Sequence, residues 1–127
     1  MLVRLVRTVP AVAWAAFIFA MSAQEQFPQP YGFSVFMLSV VAHMVLYGVL
    51  AVLLLVALDR DGSSTRSVRI AAIAGAVLYG ISDEFHQSFV PGRDASVFDV
   101  VVNAIGATIA VAIWTQLRSI LTTVTSR

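Results

Sequence analysis

Three side chains that can exchange protons lie within four positions of one apolar segment. They are Asp83, Glu84 and His86. A carboxylate and an imidazole act together as general acid and base once their surroundings bring their pKa values toward neutrality. An earlier apolar segment carries a second imidazole, His43. These four residues are therefore the candidate catalytic residues.

In each of three apolar segments, polar side chains recur every three or four positions. Residues at this spacing share one face of a helix, so each segment presents one polar stripe. Three polar stripes in apolar surroundings can be buried only against one another, which predicts a single shared pocket. The candidate binding residues on the stripes and in the adjoining loop are Tyr47, Tyr79, Gln87, Arg93, Asp99 and Asn103.

The motif also predicts a division of roles between its charged residues. The planar guanidinium of Arg93 suits a phosphate or carboxylate, because it donates two hydrogen bonds at once. We expect Glu84 or Asp99 to pair with Arg93 and to fix the loop. Asp83 then stays available to one of the two histidines for proton transfer.

A bound divalent metal that activates water is an alternative chemistry. His43, Asp83, His86 and Asp99 offer nitrogen and oxygen ligands. They lack a sequential spacing such as H-E-x-x-H, which makes the metal hypothesis the weaker one. The chain has no cysteine, which excludes thiolate ligands and disulfides. The sequence therefore gives no firm indication of a cofactor, and a divalent metal is kept as the alternative.

The composition indicates which environment these residues occupy. Of 127 residues, 59% are hydrophobic and 12% are charged, against about 45–50% and 25% in soluble domains. The mean hydropathy is +0.88. These values exclude a soluble enzyme, a disordered tail and a nucleic-acid binder with a large basic face. We expect a membrane protein whose general partner is the lipid bilayer, and no nucleic-acid partner.

Four apolar stretches are separated by polar turns, at about residues 9–23, 33–58, 68–90 and 96–117. They predict one all-α domain, an antiparallel four-helix transmembrane bundle. The first stretch is short for a span and could be mistaken for a signal sequence, but we expect a retained helix. Ser96 is placed to cap the last helix, with Asp99 in a capping-box role.

The arginines predict the orientation of the bundle, since positive charges concentrate on the cytoplasmic side. The chain has no lysine. Seven of its eight basic residues flank the same ends of the four stretches, and they are Arg4, Arg7, Arg60, Arg66, Arg69, Arg118 and Arg127. Only Arg93 lies on the other side. We therefore expect both termini in the cytoplasm, and the loops at 24–32 and 89–95 on the outer face of a bacterial inner or plasma membrane.

Residues 82–93 read Ser-Asp-Glu-Phe-His-Gln-Ser-Phe-Val-Pro-Gly-Arg. This string resembles the VanZ-like family signature, which is roughly D-E-x-H-Q-x-F-x-P-G-R followed by an aspartate, an asparagine and a Gly-Ala pair. The later elements are Asp99, Asn103 and Gly106-Ala107. A family histidine with a tyrosine four positions later is matched by His43 and Tyr47, and the resemblance covers about residues 15–112.

Two positions depart from the family pattern. Val40 stands where many relatives have a lysine, and Ala110 where a second glycine is frequent. The first departure leaves no cation at that height of the helix.

The resemblance implies a small bacterial membrane protein that acts in the cell envelope. The founding member of the family is associated with lowered susceptibility to teicoplanin, a lipid-bearing glycopeptide. Three hypotheses follow. The chain is an enzyme acting on an envelope lipid or its phosphorylated head group in an outer-leaflet pocket. Alternatively, it is a module that binds a lipid or the drug, or a proton-coupled transporter that works as a homo-oligomer. In the third, the polar stripes only hold the bundle together.

Overall fold

The computed structural model describes residues 2–25 and 32–125, and in these residues it contains four α-helices and no strand. They are α1 (Leu2–Ser22), α2 (Phe33–Leu58), α3 (Arg66–Gln87) and α4 (Val97–Thr125). The predicted all-α class with four helices is confirmed. Most of the predicted outer loop at 24–32 lies outside the described residues.

The helix starts follow local capping chemistry. The hydroxyl of Thr65 accepts the N–H of Val68 at 3.4 Å as the N-cap of α3. At the start of α4, the hydroxyl of Ser96 accepts the N–H of Phe98 at 3.1 Å. Such oxygens satisfy donors that have no partner within the helix. Helix α1 begins at Leu2, before the apolar stretch at 9–23 that predicted it, and it continues through Pro10.

Contacts between helix ends show that consecutive helices run in opposite directions. Arg7, near the start of α1, donates to the backbone carbonyl of Asp59, which directly follows α2. Glu84, near the end of α3, accepts the N–H of Ser96, which directly precedes α4. Helices α2 and α4 pack along much of their length, whereas α1 packs on α2 and α3. Two ends of the bundle result, each with its own polar groups.

Helices α2 and α4 approach closely because glycines lie at their crossing. A methyl group built on Gly106 would lie 2.6 Å from the Cα atom of Met44, which is closer than real contacts. Gly48 has more room, but a methyl group there would still lie only 3.1 Å from the Cβ atom of Ala110. Small residues of this kind allow the backbones of membrane helices to pack together. This crossing fixes the relative height of the polar residues on α2 and α4.

The outer surfaces of all four helices are strongly apolar. Large side chains remain exposed on each, for example Val12 (66%), Leu38 (71%), Leu78 (66%) and Val124 (67%). By length and composition, α2 and α4 are suited to cross a membrane. Residues Val6–Ser22 of α1 form a shorter apolar helix. Soluble monomers rarely expose apolar surface this extensively, so the molecule has partly membrane-like character.

Candidate functional site

The carboxylate of Asp83 is the centre of a buried network that joins α1, α2 and α3. Its Oδ2 atom accepts hydrogen bonds from the hydroxyl of Ser22 at 2.7 Å, the hydroxyl of Tyr47 at 2.9 Å and the amide of Gln87 at 2.9 Å. All four side chains are buried. We call these four residues the Asp83 network. One oxygen thus accepts hydrogen bonds from side chains on three helices. Such an arrangement holds the three helices in position relative to one another.

The next carboxylate, Glu84, faces the other side of α3. Its Oε2 atom accepts the backbone N–H of Ser96 at 2.9 Å, at the start of α4. In a capping box, Asp99 would occupy this acceptor position from within its own helix. Glu84 takes that role instead, and the carboxylate of Asp99 has no hydrogen bond or ion pair with any residue that the structure describes. The carboxylate of Asp99 therefore does not take part in capping α4.

Glu84, Asp99 and His43 converge from three different helices. One carboxylate oxygen from each acid and one ring nitrogen of His43 lie within 4.8 Å of one another. Glu84 is 5% exposed, and its Oε1 atom is buried with no partner among the described residues. Since two carboxylates at this distance repel each other, the arrangement favours a shared proton or cation.

The imidazole of His43 is held by Asn103 on α4. The Nδ1 atom of His43 and the Oδ1 atom of Asn103 are 3.1 Å apart. An amide oxygen only accepts hydrogen bonds, so with this amide orientation the Nδ1 atom of His43 is the donor. Asn103 is fully buried, so this contact is shielded from solvent. We call His43, Glu84, Asp99 and Asn103 the Glu84 cluster.

The second histidine of the motif lies apart from both groups. The ring of His86 packs against Phe19 on α1, with ring centroids 4.5 Å apart. Its Nδ1 atom is buried with no partner in the described part of the chain. Because His86 faces α1, it does not contribute to the group formed by His43.

The predicted partners of Arg93 are wrong. Its guanidinium donates to two backbone carbonyls at the end of α1, those of Met21 at 2.7 Å and Gln24 at 3.4 Å. The structure has no ion pair between Arg93 and Glu84 or Asp99 within its described residues. A helix end leaves carbonyls without intrahelical partners, and a guanidinium satisfies them well. Arg93 therefore fixes the end of α1 against the loop that follows α3.

The other predicted contacts are only partly formed. Asp83 makes no described hydrogen bond to either histidine, so the predicted contact between this acid and an imidazole is absent from the described residues. The hydroxyl of Tyr79 donates to the carbonyl of Ala15 on α1 at 2.6 Å. Tyr47 belongs to the Asp83 network, although its ring lies parallel to that of His43 at 6.3 Å. The candidate residues thus form two groups and not one pocket, and His86, Arg93 and Tyr79 lie outside both groups.

The metal-ligand set differs from the one proposed from the sequence. The structure groups His43 and Asp99 with Glu84, whereas Asp83 and His86 lie in other surroundings. Residues adjacent in a helix point about 100° apart, so only one of two neighbouring carboxylates can face a given helix. Imidazole and carboxylate ligands suit Zn²⁺ and similar divalent ions.

Two contributors had no clear signal in the sequence. Ser22 is a single hydroxyl near the end of α1, outside any polar stripe, yet it makes the shortest described hydrogen bond to Asp83. Ser96 contributes its backbone N–H to Glu84, which side-chain patterns cannot indicate.

These features define a class: a small all-α protein with membrane-type helices and buried polar groups near one end. The match to known sequences agrees with this class. Residues 3–121 match the family model described as VanZ/LLP1, so the chain belongs to the VanZ/LLP1 family. Neither the curated proteins nor the solved structures contain a match to the chain.

Proposed function

We propose that this protein binds the phosphorylated head group of an envelope lipid through a divalent cation held by the Glu84 cluster. The observation that carries the proposal is the buried, unpartnered Oε1 atom of Glu84 beside a second carboxylate and an imidazole. Buried charges without compensation are costly, so such a group requires a cation or a proton.

The charge balance around the cluster favours a cation over direct phosphate binding. Two carboxylates would repel a phosphate unless a positive charge lies between them. Arg93 is not available for this, because it is bound to the carbonyls of Met21 and Gln24. A divalent ion on His43, Glu84 and Asp99 would supply that charge.

The number of protein ligands fits a cation that also binds a ligand. Zn²⁺ sites with three protein ligands keep an open position for water or substrate, whereas structural sites are closed by four. An oxygen of a phosphate could occupy the open position. The contact between His43 and Asn103 resembles the outer hydrogen bond that orients metal-binding histidines.

The location of the site follows from the proposed topology. We infer four antiparallel spans in a bacterial cell membrane. The end of the bundle that carries Arg7, Arg60 and Arg118 is inferred to lie in the cytoplasm. The Glu84 cluster is then near the outer face. The exposed apolar side chains on all four helices support this topology, as do the lengths of α2 and α4.

A second candidate function uses the same residues without a metal. Two carboxylates that face an imidazole can take up and release one proton, as in a proton-coupled transporter. Isothermal titration of Zn²⁺ and Mn²⁺ distinguishes the candidates. The metal hypothesis expects saturable binding, whereas the proton hypothesis expects none.

The test of the proposed function uses protein purified in detergent and freed of metal with EDTA. Binding of a short-chain polyprenyl phosphate is measured with and without Zn²⁺, with the corresponding alcohol as the matched ligand. We expect binding of the phosphate only, and only with the metal. Glu84→Gln should lower metal affinity about 100-fold, while Asp94→Asn, an exposed carboxylate of the neighbouring loop, should not. Equal phosphate binding in EDTA would contradict the role of the cation.

The association with glycopeptide resistance is proposed at the same site. Teicoplanin carries a lipid, so it is a competing ligand for the same assay. We expect expression of this chain to lower susceptibility to teicoplanin, and expression of Glu84→Gln at equal membrane abundance not to do so. Lowered susceptibility with both proteins would show that the resistance does not depend on the Glu84 cluster.

A further inference from the structure

A second polar region lies at the opposite end of the bundle, far from the Glu84 cluster. There the start of α1, the end of α2 with the segment that follows it, and the second half of α4 line an open cavity of about 460 Å³. Its lining includes Arg7, Arg60 and Arg118, and also Asp59, Asp61 and Trp114. Three guanidinium groups around one cavity are a basis for binding an anion.

With three arginines and two aspartates, the lining has a formal net charge of +1. Of the two carboxylates, the paired one is that of Asp59. Its Oδ2 atom lies 2.8 Å from the Nη1 atom of Arg118 and also accepts the hydroxyl of Ser64. Arg7 donates to the backbone carbonyl of Asp59 at 3.2 Å. Arg60, in contrast, has no hydrogen bond or ion pair with a residue in 2–25 or 32–125. One guanidinium is thus without a described anionic partner.

An indole donor beside the arginines is also unused. The Nε1 atom of Trp114 is buried and has no partner within the described part of the chain. The indole of Trp14 donates to the carbonyl of Leu46 at 2.9 Å, which is the usual condition of a buried indole N–H. An indole nitrogen can only donate, so the missing partner of Trp114 has to be an acceptor.

We propose that this cavity binds the phosphate group of an anionic ligand, which accepts hydrogen bonds from Arg60, Arg118 and Trp114. Basic pockets between helices on the cytoplasmic side bind anionic lipid head groups, and free phosphates offer the same chemistry. The site uses none of the residues of the proposed function and does not depend on it.

Fluorescence of Trp114 tests the site directly, because the chain has only two tryptophans. Trp14→Phe leaves Trp114 as the single emitter. The purified variant is titrated with inorganic pyrophosphate and with short-chain phosphatidylglycerol, and zwitterionic phosphatidylcholine of equal chain length is the control. We expect a saturable change in Trp114 emission with an anionic phosphate and none with phosphatidylcholine.

Two arginine variants show whether the cavity is responsible. Arg60→Gln removes the guanidinium without a described partner and should weaken binding about tenfold. Arg66→Gln removes the same charge from an exposed position outside the cavity lining and should leave binding unchanged. Thermal unfolding of the wild-type protein with the same ligands provides a second measurement, should Trp14→Phe fail to fold.

Each outcome decides the proposal. Saturation with phosphatidylglycerol alone identifies a lipid head group, saturation with pyrophosphate alone identifies a free phosphate, and saturation with both identifies the phosphate group as sufficient. The proposal is overturned by the absence of saturation or by an equal response to phosphatidylcholine. Equal affinity in Arg60→Gln and Arg66→Gln also overturns it.

Discussion

Asp83 and Glu84 are neighbours in the sequence, but their carboxylates lie in regions with different hydrogen bonding. Asp83 has three side-chain donors on one oxygen, contributed by α1, α2 and α3. Glu84 has one backbone donor on one oxygen. In both residues the other carboxylate oxygen is buried without a described partner. A second acid, Asp99, lies beside Glu84. The helical repeat causes this separation, because it directs adjacent side chains to different helices.

The difference between the two regions is the basis of the proposed roles, in which the Asp83 network stabilises the fold and the Glu84 cluster binds a ligand. Hydrogen bonds to charged groups contribute about 1.5–3 kcal/mol each, so the Asp83 network stabilises the packing of three helices. The Glu84 cluster has more acceptors than donors. Its arrangement is stable only if a proton or cation supplies the missing charge. Variants of each region should therefore affect different measurements.

The largest expected effect is that of Asp83→Ala on stability. The substitution leaves the buried donors of Ser22, Tyr47 and Gln87 without their acceptor, and each lost acceptor costs about 1–3 kcal/mol. We expect a loss of 3 kcal/mol or more, roughly, in the free energy of unfolding. Thermal unfolding in detergent, followed by circular dichroism, measures it. Asp94→Ala, in the exposed loop, is the control, and equal melting temperatures for the two variants would contradict the separation of roles.

A second variant addresses the Glu84 cluster through its buried amide. Asn103→Ala removes the acceptor that holds Nδ1 of His43, so the imidazole loses its fixed orientation and tautomer. We expect Zn²⁺ affinity to fall about 10–100-fold in isothermal titration. Thr108→Ala, on the exposed side of the same helix, should have no effect. Unchanged affinity in Asn103→Ala would show that His43 is not a ligand.

A substitution of Tyr47 tests whether the two regions are independent, because this residue lies between them. Tyr47→Phe removes the hydrogen bond to Asp83 but keeps the ring beside His43. We expect a loss of about 1–2 kcal/mol in stability and no change in Zn²⁺ affinity. Tyr79→Phe is the matched control, since that hydroxyl donates to a backbone carbonyl on α1. A fall in metal affinity confined to Tyr47→Phe would show that the two regions act as one site.

The helical fold could be predicted because its apolar segments are long and end at clear polar turns. The prediction missed the start of α1 and the end of α4, where arginines and threonines continue a helix beyond its apolar part. Local composition does not indicate such extensions, since exposed polar residues are equally compatible with a helix and with a loop.

The site was predictable only as a set of residue types. Four-residue spacing shows which side chains share a face, but it does not give the rotation of one helix relative to the next. That rotation decides whether Asp83 or Glu84 faces His43, and here it selects Glu84. The partners of Arg93 are backbone carbonyls, which every residue carries, so side-chain chemistry suggested the wrong acids.

A third carboxylate, Asp59, provides the smallest expected effect and tests the idea that paired acids stabilise the fold. Burial alone would raise its pKa, but the hydrogen bonds from Ser64 and the guanidinium of Arg118 outweigh it and hold the pKa below its ordinary value. The unfolded chain has the ordinary value, about 3.9. The folded state therefore gains stability from ionised Asp59 above this value, and loses it as the pH falls through the lower folded pKa.

The expected measurement is a fall in melting temperature as the pH is lowered from about 5 to about 3, with little change from 5 to 7. Asp59→Asn cannot ionise, so its melting temperature should be lower at pH 7 and should fall less below pH 5. Arg118 is partly exposed, at 39% for its side chain, and solvent screening reduces the contribution of such a pair. Asp61→Asn removes a neighbouring carboxylate for which no ion pair is described, so its pH profile should follow the wild type. Parallel profiles for Asp59→Asn and the wild-type protein would show that pairing with Arg118 and Ser64 does not stabilise this end of the bundle.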